Sequence, residues 1–343
     1  AASAGKTGYC PNFGIPELRA CLADSIGDAR KLHYDADNVV VQPGGKPSIG
    51  KFILSLMNPG DEVLYPNPGY PIYESQIEFH GGKAVPYGYC EGNLNFELDL
   101  AAIEAAITPR TRAIVYNDLQ NPTGAESTSD EMQAIADLAI KHDLIVLSDE
   151  AYFDIRYEGT SRSIASLPGM RERTVILYTF SKKFAMTGWR LGATIGPKDI
   201  VDTVAKLNVN DESCSKHFIQ YGAIEALSGS QSGPRAILAT LRERRDKAIE
   251  ILDTVPGVRC YRPNAPFYLF PNVTELMRSK VFTDYEAFRK AVMHETGVAF
   301  CTRAHFGRQG TSEVERYIRL AYSGIDCDAI EEGLTRFRRW AEQ

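Results

Sequence analysis

A chain of 343 residues, 44% hydrophobic and 24% charged, is long enough for a full core and too long for one simple layer, which implies roughly two domains. Its formal net charge of −6 comes from interspersed acids and bases and leaves no basic footprint for nucleic acid or an anionic membrane surface. Apolar stretches such as Ile53–Met57 and Leu144–Leu147 fall far short of the ~20 residues a membrane span needs, and Ala1–Thr7 lacks the pattern of a secretory signal. Seven cysteines at irregular spacing, without Cys-x-x-Cys, argue against a disulfide framework and a zinc site. Scattered histidines give no metal spacing either, and a reducing cytoplasm fits best.

In chain order, short β-branched or apolar runs at Val39–Val41, Glu62–Tyr65, Ala84–Tyr87, Ala113–Tyr116, Leu144–Leu147, Val175–Tyr178 and Ala193–Ile195 read as buried strands. Between several of them, Ile49–Met57, Tyr70–His80, Leu100–Ala106 and Glu131–Lys141 have helical spacing, and Thr128-x-x-Glu131 suits a capping box. This alternation predicts an α/β fold with a mostly parallel seven-stranded sheet covered by helices on both faces. Beyond about Ser213 the pattern changes to longer helices, notably Ala236–Leu252. A small mixed α/β region follows, with strands near Arg259–Tyr261, Tyr268–Phe270 and Tyr317–Tyr322. The turn cluster Ser228–Pro234 marks a domain boundary.

Ligands of a parallel α/β sheet collect at the carboxyl ends of its strands. After the first strand, Pro43-Gly44-Gly45-Lys46 leads into a helix whose bare amides and dipole suit a phosphate, although a plain turn reads the same way. After later strands come Asn121-Pro122-Thr123-Gly124, which also reads as a turn-former loop, and Ser148-Asp149-Glu150-Ala151-Tyr152, whose acid could also cap a turn. After Val175–Tyr178 comes Thr179-Phe180-Ser181-Lys182-Lys183, followed by Met186-x-Gly188-x-Arg190-x-Gly192. The apolar Phe184, Met186 and Trp189 would hold a lysine of this segment inside, where desolvation favours the neutral amine needed to bond an aldehyde.

Together these elements resemble the class I/II aminotransferases that depend on pyridoxal 5'-phosphate and share the fold of aspartate and aromatic aminotransferases (fold type I). The match runs from Gly5-Lys-Thr-Gly-Tyr9 to Arg319-Leu-Ala-Tyr322. It implies a large cofactor-binding domain over 36–230, a small domain over 231–343, and a segment 1–35 that packs with the small domain and the dimer partner. Lys182 resembles the lysine that carries the cofactor and moves a proton to and from the substrate α-carbon. The spacing of eight positions to Arg190 selects it over Lys183. Asp149 resembles the carboxylate facing the pyridine nitrogen, Asn121 and Tyr152 the pair on the phenolic oxygen, and Tyr70 the aromatic residue stacked on the ring. The phosphate would meet the amides of Gly45 and Lys46, the hydroxyls of Thr179 and Ser181, and Arg190, with Tyr9 contributed across a homodimer. Arg319 resembles the residue that grips the substrate α-carboxylate, and by itself also suits a surface ion pair.

The resemblance implies transfer of an amino group from an L-amino acid to a 2-oxo acid by a ping-pong exchange. A β-lyase, decarboxylase or oxidase on the same fold is the alternative, because shared residues build the electron sink without deciding where its electrons go. Two departures stand out. Family members begin with an arm, a helix and a glycine-containing loop ahead of the equivalent of Gly5–Tyr9, so either a further segment precedes this sequence or a lid is lacking. Family members also commonly carry Pro-Gly before Phe-Gly, where this chain has Arg303-Ala304-His305-Phe306-Gly307. Arg303 there is a candidate for a distal substrate carboxylate, and it suits a solvated loop residue equally well.

Overall fold

The computed structural model describes residues 1–93, 95–310 and 313–343. Seven strands, all but the edge strand β3 largely buried, form one sheet: β1 (Val39–Gln42), β2 (Glu62–Pro66), β3 (Lys83–Tyr87), β4 (Thr111–Tyr116), β5 (Ile145–Asp149), β6 (Thr174–Thr179) and β7 (Gly192–Ile195). Their order is β1-β7-β6-β5-β4-β2-β3. β7 pairs antiparallel with both β1 and β6, while the pairs from β6 to β3 are parallel. Both faces are covered, so the strands read as continuous apolar runs rather than alternating ones.

The two-residue period of a strand divides its side chains between two layers. On one face Val40, Val63, Val115, Leu147 and Leu177 pack with Ile49, Phe52, Val201 and Val204 from helices Lys46–Leu56 and Lys198–Asp211. On the other, Ile114 and Val146 meet Met132 and Ile135 of helix Ser129–Lys141. The capping box forms as the sequence predicts, with the Thr128 hydroxyl accepting from the Glu131 amide and the Glu131 side chain from the Thr128 amide. Helix Lys46–Leu56 begins three residues ahead of the expected Ile49, because Pro47 brings a backbone already set for the first turn.

The C-terminal strands form a second, antiparallel sheet in which Ile318–Ala321 lies between Tyr268–Leu269 and Cys301–Thr302. The strand expected near Arg259–Tyr261 is reduced to a single bridge from Arg259 to Asn272. Helices Ser232–Leu252, Tyr285–Thr296 and Cys327–Glu342 cover this sheet around Leu252, Phe288, Phe337 and Trp340. Tyr152, Ile155 and Tyr157, which follow β5, belong to the same cluster, so one core joins the second sheet to the functional edge of the first.

The expectation that residues 1–35 pack with the small domain is corrected. Helix Pro16–Arg30 buries Leu18, Leu22 and Ile26 against Val39, Val41, Ile176 and Ala193 of the large sheet and against helix His217–Ser228. Each of those side chains contributes about 1.5–3 kcal/mol by leaving water, and the apolar face of β1 would be exposed without them.

Candidate active site

All the residues singled out from the sequence except Tyr9 and Arg303 border one cavity of about 380 Å³ at the carboxyl ends of β1, β4, β5 and β6. Its floor at one end is built by Gly45, Thr179, Ser181 and Arg190, with Gly44 packed against the arginine. Gly44 has φ +102°, and a Cβ there would sit 2.5 Å from Arg190 Nη2, so the close approach of the guanidinium requires glycine. Gly192 is confined in the same way, its added Cβ falling 2.6 Å from the Tyr178 carbonyl oxygen and 2.9 Å from Gly44. Arg190 Nη1 donates to the Thr187 carbonyl at 2.7 Å, which orients the fork. The Thr179 hydroxyl donates to Ser181 Oγ at 2.9 Å. Helix Lys46–Leu56 starts here with no side-chain cap and no acid in its first turn, which leaves its positive end for an anion.

At the centre of the cavity Asp149 ends β5 and is buried. Its Oδ2 accepts from the Tyr73 hydroxyl at 2.5 Å and its Oδ1 from the Ala151 amide at 3.1 Å. Burial pushes the carboxyl above the ordinary aspartate range, opposed by the hydrogen bonds from Tyr73 and Ala151 and by the charge of Lys182. Asn117 secures the strand end, donating from Nδ2 to the Asp149 carbonyl at 2.9 Å and accepting the Asn121 amide on Oδ1 at 3.1 Å. Burial holds the Lys182 amine below the usual lysine value, with Arg319 and Arg190 acting in the same direction and Asp149 against it. Its Nζ lies 5.5 Å from the ring centres of both Tyr152 and Phe267.

Across from this floor, the guanidinium of Arg319 lies between two rings, 4.3 Å from the centre of Tyr268 and 4.5 Å from that of Phe306. Its Nη1 donates to Asn121 Oδ1 at 2.7 Å, while its buried Nε has no protein partner among the described residues. The Tyr152 and Tyr268 hydroxyls share a hydrogen bond at 2.9 Å, and burial raises both phenols above their ordinary value. The cavity thus joins an anion cradle, a buried carboxyl, a desolvated amine and a second, partly unpartnered guanidinium.

Lys183 points elsewhere, with its Nζ 3.0 Å from Asp154. Tyr9 is 88% exposed and does not reach this chain's own cavity. The reading of Arg303 as a residue at the substrate entrance is corrected: it is 1% exposed and borders a different cavity. Its guanidinium donates to Asn67 Oδ1 at 2.9 Å, to Glu313 Oε1 at 2.6 Å and to the Gly307 and Arg308 carbonyls at 3.1 and 3.2 Å. A group so fully engaged ties its loop to the turn after β2 and leaves no fork for a ligand. His305 closes a capping box with Thr302, Nδ1 lying 2.9 Å from the threonine hydroxyl.

The structure adds Tyr73, Asn117, Thr187 and Tyr268 to the cavity. Tyr73 follows Tyr70 by three residues at the start of helix Ile72–Phe79, and Asn117 directly follows β4, so spacing was an available signal for the first and strand-end position for the second. Tyr268 comes from the second sheet, and nothing local announces its contact. Among the described residues no cluster of three or more histidine, cysteine, aspartate or glutamate side chains is placed to hold a metal ion, and no helix is long and apolar enough to cross a membrane.

The profile of the family described as aminotransferase class I and II matches residues 1–337. An aspartate aminotransferase of Bacillus subtilis (strain 168) is 32% identical over 341 residues, covering 99% of this chain and 85% of the relative. The aromatic-amino-acid aminotransferase 2 of Thermococcus litoralis is 34% identical over 340 residues, covering 98% and 84%. The crystal structure of the aromatic aminotransferase from Pyrococcus horikoshii OT3 superposes with a TM-score of 0.92 at 32% identity, over 99% of this chain and 89% of that one. A family profile spanning nearly the whole chain and a shared architecture at this identity lead to one conclusion: the chain belongs to the class I and II aminotransferases.

Proposed function

We propose that the protein is a pyridoxal-phosphate-dependent aminotransferase, acting on an L-amino acid and a 2-oxo acid in two half-reactions at the cavity of Lys182. The observation that carries this reading is the joint placement of Lys182, Asp149, Arg190 and Arg319 around one cavity. The residues fit the cofactor on structural grounds. Gly44 leaves room that a Cβ would fill beside Arg190, the buried Asp149 lacks a full countercharge, and Arg319 Nε lacks a partner among the described residues. When bound, the cofactor supplies an electron sink for the carbanion formed at the substrate α-carbon.

The chain's own residues do the rest. Arg190, the Thr179 and Ser181 hydroxyls and the amides that open helix Lys46–Leu56 would hold the phosphate, and Tyr9 of a second subunit would complete that end. Asp149 would face the pyridine nitrogen and favour its protonated form, Asn121 and Tyr152 would donate to the phenolic oxygen, and Tyr70 would cover the ring. Arg319 would clamp the α-carboxylate and so fix which bond at the α-carbon stands beside Lys182, whose amine burial holds below the ordinary lysine value, as suits a group that takes up and returns a proton. The Tyr152 and Phe267 rings, centred 5.5 Å from that amine, give it an apolar flank. The same reading includes a cytoplasmic homodimer with shared sites and a division near 230 into a large and a small domain.

The test is a half-reaction. Holoenzyme mixed with an amino acid alone should lose the visible absorbance of its cofactor while releasing one equivalent of the matching 2-oxo acid, and a second 2-oxo acid should restore it. Release of ammonia, carbon dioxide or hydrogen peroxide in place of stored nitrogen would replace this reading with a lyase, decarboxylase or oxidase.

A further inference from the structure

The hydroxyl of Tyr73 lies in none of the roles above, yet it makes the shortest contact to the carboxyl at the centre of the site. Tyr73 sits in the first turn of helix Ile72–Phe79, after a turn whose Gly69 admits no side chain, since a Cβ there would fall 2.0 Å from the Pro66 carbonyl oxygen. The ring is fully buried and meets Tyr70 edge-on at 5.8 Å. We propose that Tyr73 is a positioning residue for Asp149: its phenol fixes Oδ2 at 2.5 Å while the Ala151 amide fixes Oδ1, so the carboxylate presents one face to the cofactor ring and keeps its charge there. This rests on the reading of the cavity as a pyridoxal-phosphate site.

The physical argument starts from the surroundings of Asp149. The groups facing it are Tyr73 from its helix, Lys182 from the segment after β6, Tyr152 beyond β5, and Glu150 beside it. Glu150 is itself neutralised by Arg30 at 2.5 Å. Burial favours the protonated acid, and of the groups that oppose it the Tyr73 hydrogen bond is the largest. A phenol donating to a carboxylate is a charge-assisted bond in a low-dielectric site. Without it, Asp149 is both less constrained and more basic. It then competes for the proton it should leave on the pyridine nitrogen, and the electron sink weakens. With less positive charge on the ring, the Lys182 nitrogen holds its own proton to higher pH.

Tyr73→Phe removes one oxygen and keeps the ring packing, and a melting curve verifies the fold. The readout is the pH titration of the visible absorbance of the reconstituted holoenzyme, with kcat and KM measured alongside. The expected result is an upward shift of the midpoint by about one pH unit and a fall in kcat of about tenfold with KM little changed, the scale of one lost hydrogen bond to a charged group. In an Asp149→Asn background the same substitution should move the midpoint no further. An unmoved midpoint, or an equal shift in the Asp149→Asn background, overturns the role of Tyr73. Wild-type protein that takes up no pyridoxal phosphate would instead overturn the reading of the cavity itself.

Discussion

Replacing Arg319 by leucine separates binding from folding in a way the geometry makes quantitative. Arg319 spends Nη1 on Asn121 and leaves Nε buried without a partner among the described residues, so the unliganded fold gains little from that donor. The two aromatic contacts contribute about 0.5–2 kcal/mol each, and leucine keeps much of the apolar packing between Tyr268 and Phe306. Stability should therefore fall by only about 1–2 kcal/mol. Substrate is a different case. A carboxylate left without its cation in a desolvated site costs about 2–5 kcal/mol, which is roughly a 30-fold to several-thousand-fold loss in kcat/KM. The assay compares kcat/KM for an amino acid and for the corresponding amine without its α-carboxylate, in both proteins, with thermal melts alongside. The amino acid should lose its advantage over the amine in Arg319→Leu, while the amine is handled nearly as before. Equal losses for both substrates, or an amino acid that keeps its KM, would refute the assignment of Arg319 to the α-carboxylate.

Other outcomes follow from the same geometry. Asp149 has a folded-state pKa above its unfolded value, so its contribution to stability is full below the unfolded value and is lost as pH rises through the folded one. Cofactor-free Asp149→Asn should then melt above wild type at neutral pH, with the difference vanishing toward pH values below the ordinary aspartate range, and a difference independent of pH would contradict the burial argument. Arg303→Ala breaks a buried ion pair and several carbonyl contacts, so it should cost about 3 kcal/mol in chemical denaturation while leaving the ratio of dicarboxylate to monocarboxylate substrates unchanged. A selective loss of dicarboxylates would restore Arg303 to the substrate site. Tyr9→Phe should weaken pyridoxal phosphate binding in a protein that sediments as a dimer, and full activity in a sedimenting monomer would exclude the shared site.

Much of this site could be read before the structure because its residues lie at strand ends, where a short apolar run gives way to a turn or helix. Asp149, Asn121 and the Thr179–Arg190 segment are of this kind, and it is the resemblance to the family, with its spacing of eight positions to Arg190, that separates Lys182 from Lys183. The contacts that complete the site come from elsewhere in the chain. Tyr268 reaches Tyr152 across 116 residues, and Asn121 reaches Arg319 across 198, so no local pattern encodes either pair. Arg303 misled for a related reason. An arginine in a polar loop looks solvated, and here the distant Asn67, Glu313 and the folded-back loop carbonyls engage it. The N-terminal segment shows a third limit: its place beside the small domain rested on the resemblance alone, and its helix packs instead on β1 and helix His217–Ser228.

The central claim is that Lys182 carries the cofactor in an aminotransferase site. Borohydride reduction of the holoenzyme, followed by proteolysis and mass spectrometry, tests it most directly. The account predicts a pyridoxyl adduct on Lys182 and none on Lys183, whose amine is held by Asp154. An adduct on Lys183, or on no lysine of the cavity, would contradict it.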